Sequence, residues 1–210
     1  MIRLENLRRH VLLVVLTIAT VQCSGTPESR YYLLTSESQP SVETAVQQSG
    51  TPSTSIFVDK AKVATYFDRS QMVTRSGESR VTYLEFDVWA EPIGGLITRS
   101  LIDHLSRRFA SDRVVETPFQ RKFDADYRVS VEVLRFDSNE EGNVALDAQW
   151  TLLASSEECF VGTGREVISR RIPDPTSVDQ RVIALNANVA ALSEIIADKI
   201  LALGGAGCLQ

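Results

Sequence analysis

Between residues 80 and 110 the hydrophobic period of the chain changes. Leu84, Phe86 and Val88 alternate with Glu85 and Asp87, the period of a half-buried strand, and Trp89 closes the run. Pro92 stops it, because proline has no N–H for a ladder and its fixed φ suits the first turn of a helix. From there Ile93, Ile97, Leu101, Leu105 and Phe109 recur at every fourth position with Leu96 beside them, which predicts an amphipathic helix over about 92–110. Arg99, Asp103 and Arg107 fall on its other face, where Asp103 and Arg107 have i,i+4 spacing for pairing. Trp89-Ala90-Glu91-Pro92 is thus a strand-to-helix junction, and the chain reads as organised around it.

The same reading extends in both directions. Tyr31 to Leu34 is a compact strand, and Ile56 to Val58 another. Between them, 35–54 holds nine Ser or Thr residues, two prolines and few hydrophobes, too little apolar surface to order itself, and is expected to be a flexible loop. Ala61 to Asp68 leads to a second edge. Gln71 to Arg75 and Arg80 to Trp89 form strands around a turn at Ser76-Gly77-Glu78, and Arg113 to Glu116 is short. In Asp126 to Phe136, Tyr127, Val129, Val131 and Val133 share a face until Leu134 breaks the alternation, which predicts a bulge. A hairpin loop at Ser138 to Asn143 leads to Val144 to Leu153, whose Val144, Leu146, Ala148, Trp150 and Leu152 share a face. Cys159 to Arg171 returns, with Gly162 and Gly164 thinning one side.

The last element is a helix from about Thr176 to Leu203, capped by Asp174 or Thr176 and ended by Gly204-Gly205. Val178, Val182, Leu185, Val189, Leu192, Ile196, Ile200 and Leu203 form a narrow stripe, suited to its own sheet or to a partner helix. Two helices with an antiparallel meander make the fold class α+β, one domain over 31–203 with a tail at 204–210.

The first residues add a destination. Arg3, Arg8 and Arg9 precede an apolar stretch from Val11 to Val21. Its length, about 16 Å as helix, falls short of a ~30 Å hydrocarbon core, so 1–22 reads as a signal peptide. Cys23 directly after it resembles the bacterial lipobox, in which the thiol receives diacylglycerol, the preceding bond is cut and the new amine is acylated. Gln22 stands where Gly, Ala or Ser is usual, and Thr20 where Leu is. The alternative is an ordinary signal peptide cut near Cys23-Ser24-Gly25. Residues 23–30 would be a lipidated tether, and by resemblance to the lipoprotein sorting rule Ser24 favours the outer membrane. Losing 1–22 moves the net charge from −5 to −7. An acidic chain without a basic cluster argues against nucleic-acid phosphates and against polybasic membrane adhesion.

Candidate chemistry is sparse. Cys159 and Cys208 remain for a disulfide in an oxidising compartment, with two free thiols as the alternative. His10 lies in the signal peptide, and His104 has no second His or Cys at metal-ligand spacing. Gly162-x-Gly164 lacks the helix of a nucleotide fingerprint, and there is no P-loop lysine and no Gly-x-Ser-x-Gly elbow. Glu140-Glu141 and Glu157-Glu158 are adjacent pairs at loop tips, whose side chains diverge in extended chain. No catalytic residues, no metal and no cofactor are assigned beyond the acyl chains expected on Cys23. Trp89 and Trp150 read as core, or, if solvent-facing, as a docking surface or lipid groove.

The order of these features resembles a family. A lipobox-like cysteine precedes Tyr31-Tyr32-Leu33-Leu34, a Ser/Thr-rich gap and Ile56-Phe57-Val58. Tyr66-Phe67-Asp68-Arg69, Gln71-Met72-Val73 and Trp89-Ala90-Glu91-Pro92 follow, then Tyr127-Arg128-Val129-Ser130-Val131 and Val144-Ala145-Leu146-Asp147-Ala148-Gln149-Trp150. Together they are similar to the ABC-type transport auxiliary lipoproteins, in the branch of paraquat-inducible protein C. The resemblance implies a mixed, largely antiparallel sheet with helices packed on it. It implies a non-enzymatic lipoprotein at the periplasmic face of the outer membrane, held by acyl chains in the lipid leaflet. Its partners would be an MCE-domain protein and that protein's ABC transporter complex, in transport of phospholipid or other hydrophobic cargo. A homo-oligomer is left open. Trp89, Ala90, Glu91 and Pro92 carry the family's mark and are the candidate docking motif. The alternative function is a periplasmic lipid-binding carrier with an apolar cavity.

Overall fold

The computed structural model describes residues 27–35, 54–117, 125–154 and 159–203. The elements run β1 (Arg30–Tyr32), β2 (Ile56–Val58), β3 (Lys62–Val63), β4 (Gln71–Ser76), β5 (Arg80–Trp89), α1 (Ile93–Arg108), β6 (Val114–Glu116), β7 (Tyr127–Asn139), β8 (Asn143–Ala154), β9 (Cys159–Arg171) and α2 (Val178–Leu203). Leu33 and Leu34, expected in the first strand, lie beyond its end. They keep its alternation, since Leu33 is exposed and Leu34 buried.

The spine of the molecule is β7. Along one edge it takes β2, β3 and β4 in turn, all parallel, at Tyr127–Val129, Glu132–Val133 and Ser138–Asn139. Along the other it pairs antiparallel with β8, which pairs antiparallel with β9. β5 continues from β4 antiparallel, β1 lies parallel on the far side of β5, and β6 lies parallel on β2. The sheet is mixed, with antiparallel long ladders and parallel short ones, so the α+β class and sheet type match the expectation. The junction after β5 is therefore not the organising element. A thirteen-residue strand with alternating burial is long enough to take three short strands along one edge and β8 along the other, whereas the shorter β5 has one partner on each side. The bulge expected at Leu134 is present, as the β7–β8 register shifts between Val133 and Arg135.

One sheet face is covered by the helices. Ile93, Leu96, Ile97, Leu101 and Leu105 of α1 are fully buried, as are Val189, Leu192 and Ile196 of α2. They meet Ile56, Val58, Val129, Val133, Leu146 and Leu152 from the sheet in one core. The stripe on α2 thus serves its own sheet. Each such side chain contributes about 1.5–3 kcal/mol on leaving water. At its start α1 comes so near the chain between β2 and β3 that a Cβ on Gly94 would lie 2.8 Å from the Ala61 carbonyl oxygen. There the Thr98 hydroxyl accepts from the Ala61 N–H at 2.9 Å and donates to the Gly94 carbonyl at 2.7 Å.

Arg107 donates to the Asp103 backbone carbonyl at 3.1 Å, in keeping with their i,i+4 spacing. Caps and faces depart from the sequence reading in two places. The α2 cap is Ser177, whose hydroxyl accepts the Gln180 N–H at 3.3 Å, while Asp174 instead closes a turn on the Thr176 N–H and hydroxyl. In β5, Phe86 and Val88 are only half-buried whereas Asp87 is buried. The register against β4 jumps from Gln71↔Val88 to Val73↔Tyr83, a bulge that re-aims the strand, and Asp87 faces cationic partners instead of water. The expected signal peptide, most of the 35–54 loop and the 204–210 tail lie outside the described residues.

Candidate functional site

Trp89-Ala90-Glu91-Pro92 is pinned from two sides. The Trp89 N–H donates to the Ser70 carbonyl at 2.7 Å, and the Ala90 N–H to the Tyr32 carbonyl at 2.9 Å. Trp89 turns inward, 6% exposed, with its ring centroid 6.1 Å from that of Phe136. Pro92 stands at the N-cap with ψ 128°, and its carbonyl accepts from Gly95 and Leu96. It offers no capping side chain. Glu91, just ahead of it, is gripped by Arg99 two turns into the helix through bonds of 2.5 and 3.1 Å. Those hydrogen bonds hold the Glu91 carboxyl below its usual pKa. An anion at that end of α1 also opposes the helix dipole favourably.

Between this segment and the 68–70 turn lies a surface cleft of about 340 Å³, lined by Asp68, Arg69, Ser70, Trp89, Ala90, Glu91 and Pro92. Arg69 is exposed, and its guanidinium carbon stands 3.9 Å from the centroid of Tyr83. The cleft offers an indole edge, a proline ring, two acids and a stacked cation. Sequence reasoning found four of its residues. It missed Asp68, Arg69 and Ser70, which reach the cleft through the pairing of β4 with β5 and the Trp89–Ser70 bond beside it.

A second polar cluster lies where β4 and β7 meet. Asp137 has no side-chain exposure and accepts from the Tyr66 hydroxyl at 3.0 Å, Arg75 at 3.0 Å and Arg135 at 2.8 Å. Burial first, then the Asp137 charge, push the Tyr66 phenol up to about 12. The cluster ties the 64–67 turn to both strands. Nothing in its sequence spacing announced it, since Asp137 sits beyond the bulge that reverses the faces of β7. A cleft of about 480 Å³ beside it and one of about 280 Å³ on the open sheet face are likewise lined by charged side chains.

The remaining candidates separate. Cys23 and Cys208 lie outside the described residues, and Cys159 begins β9. Trp150 is core, 5% exposed, with its indole against Gly164. Glu140 and Glu141 are exposed beside Gly142, whose φ of +82° closes the hairpin. Burial lowers the pKa of His104 on α1, with Arg107 adding to the effect. Among the described residues no group of three or more His, Cys, Asp or Glu could hold a metal ion. Nor is any described helix long and apolar enough to cross a membrane.

Fold and sequence together define an auxiliary lipoprotein. The chain matches the family of ABC-type transport auxiliary lipoprotein components over residues 32–197 and belongs to it. Its fold is that of two solved structures. One, an uncharacterized protein, has a TM-score of 0.66 at 17% identity over 83% of this chain and 99% of its own. The other, from Xanthomonas campestris, has a TM-score of 0.61 at 17% identity over 72% and 86%. No curated protein matches the chain in sequence.

Proposed function

We propose that this protein is a non-enzymatic docking subunit of an MCE-type ABC lipid transport system. It belongs to the paraquat-inducible protein C branch of its family and is held at the periplasmic face of the outer membrane by acyl chains on Cys23. The observation that carries the reading is the cleft at Trp89–Pro92. It sits beside Tyr32, where the tether joins the sheet, so an anchored chain presents it near the membrane. An MCE-domain protein would place an extended or looped segment there. The test is a photo-crosslinking residue at Ala90 in cells that contain the MCE protein encoded nearby. Crosslinks to that protein from position 90, and none from Val167 on β9, are expected; the reverse pattern refutes the docking site. Globomycin treatment with mass spectrometry of the mature N-terminus tests the anchor, and an unacylated Cys23 refutes it. Lipid copurifying in native mass spectrometry would replace docking by carriage.

We also propose the Cys159–Cys208 bridge. Support comes from α2, whose Lys199 Cε lies 3.2 Å from the place of a Cβ on Gly162, so the helix ends near the start of β9. Peptide mapping without reductant should join the two cysteines; two alkylatable thiols refute it.

A further inference from the structure

Tyr31 is 71% exposed and Leu33 44% exposed. Burial alternates from Tyr31 to Thr35, so these two stand on one side of the chain while Tyr32 and Leu34 turn to the body. They lie at a sheet edge, since among the described residues β1 pairs only with β5. The strand is firmly attached. Arg30 Nε and Nη2 donate to Asp87 at 2.8 and 2.7 Å, the Tyr32 hydroxyl donates to the same oxygen at 3.3 Å, and the Ala90 N–H reaches Tyr32. Tyr31 on this short strand and Leu33 just past its end are two outward apolar side chains on a firmly tied mount.

We infer that Tyr31 and Leu33 form a lipid-contact seat that lays the β1 edge against the bilayer surface. The inference rests on the proposed acylation of Cys23. Tyr31 lies eight positions after Cys23, a reach of at most about 29 Å fully extended, so the patch cannot leave the neighbourhood of the headgroups. Two side chains are too little to bind a membrane from solution. Once the anchor makes the encounter intramolecular, they are enough to choose an orientation. Tyrosine suits that depth, with an apolar ring and a hydroxyl that stays wet. Arg30, 60% exposed on its side chain, stands beside it at the level of lipid phosphates. Seated this way, the cleft next to Tyr32 opens close to the membrane, and β9 at the opposite edge of the sheet points away.

The test holds the chain from Cys23 onward on phosphatidylcholine vesicles through a histidine tag placed at Cys23 and a nickel-chelating lipid. The vesicles also contain dibromo-phosphatidylcholine as a quencher of tryptophan fluorescence. Leu33→Trp and Tyr31→Trp are compared with Val167→Trp, an exposed apolar site on β9, against the background of the buried Trp89 and Trp150. Quenching several-fold stronger at 33 and 31 than at 167, with a blue shift, is expected. Equal quenching at the two edges overturns the seat. Because the tag supplies the tether, this outcome is independent of acylation in cells; an unacylated mature Cys23 would instead remove the anchor on which the seat depends.

Discussion

Replacing Gly164 by alanine tests the packing of the sheet. Gly164 pairs with Trp150 across β8 and β9. A Cβ added there would lie 2.7 Å from Cε2, Cζ2 and Nε1 of that indole. Carbon atoms settle about 3.5–4.0 Å apart, so the ring must withdraw by close to an ångström into a filled core. Overpacking of that kind costs about 1–3 kcal/mol, offset by up to about 1 kcal/mol because alanine restricts the unfolded chain more than glycine does. A net loss of about 1–2 kcal/mol should lower the melting temperature by roughly 2–8 °C in a domain of this size, read by circular dichroism. Trp150→Phe removes the three offending atoms, and with them an indole N–H that is buried without a partner. It costs on the order of 1–2 kcal/mol alone through lost volume. In the double variant the Gly164→Ala penalty should nearly vanish, a coupling of about 1 kcal/mol or more from urea unfolding. Additivity within about 0.5 kcal/mol would show that the two side chains do not compete for this space and refute the reasoning.

Three further outcomes follow from local geometry. Ala110 ends α1 in the left-handed region at φ 46°, with Ser111 and Ala110 N–H groups returning to Ser106 and Arg107; Ala110→Gly should stabilise the fold by about 0.5–1 kcal/mol in urea unfolding, and a loss of stability would contradict the cap assignment. Tyr66 keeps its proton to about pH 12 when folded, above its unfolded value near 10, so its contribution is whole below pH 10 and lost as pH rises toward 12. The urea midpoint should fall more steeply across that window than in Tyr66→Phe, and parallel curves would refute the assignment. Asp87→Ala removes the acceptor of Arg30 and Tyr32, so hydrogen exchange at 30–34 should rise while α1 stays protected; unchanged exchange would show that β1 is held by its backbone bonds alone.

The elements with long periods were legible in the sequence, including β7 with its bulge, β8, β9 and both helices, because burial of one face writes a period of two or four. Pairing was not. Alternation in Tyr127–Val133 shows which side chains turn inward but not that three strands share one edge of that segment. Asp87 misled the reading for a related reason: a carboxylate in an alternating run signals solvent, yet here it answers Arg30, fifty-seven positions away. The cleft was half legible. Trp-Ala-Glu-Pro stands out as a junction, whereas the residues opposite it arrive through the bulged pairing of β4 with β5, which no local pattern encodes.

The position of β7 also governs when the chain can fold. β1, β5 and β4 make one partial sheet and β2 with β6 another, and among the described residues only β7 joins them. A chain made from its N-terminus has produced more than half its length before residue 127 exists, so both fragments wait unjoined, with α1 the one described helix yet made to cover them. Closing such non-local pairings is slow, and exposed strand edges invite misassembly in the interval. Production of the folded protein is therefore sensitive to what shields residues 30–117 until the central strand arrives, a vulnerability in time that the finished, evenly packed sheet conceals.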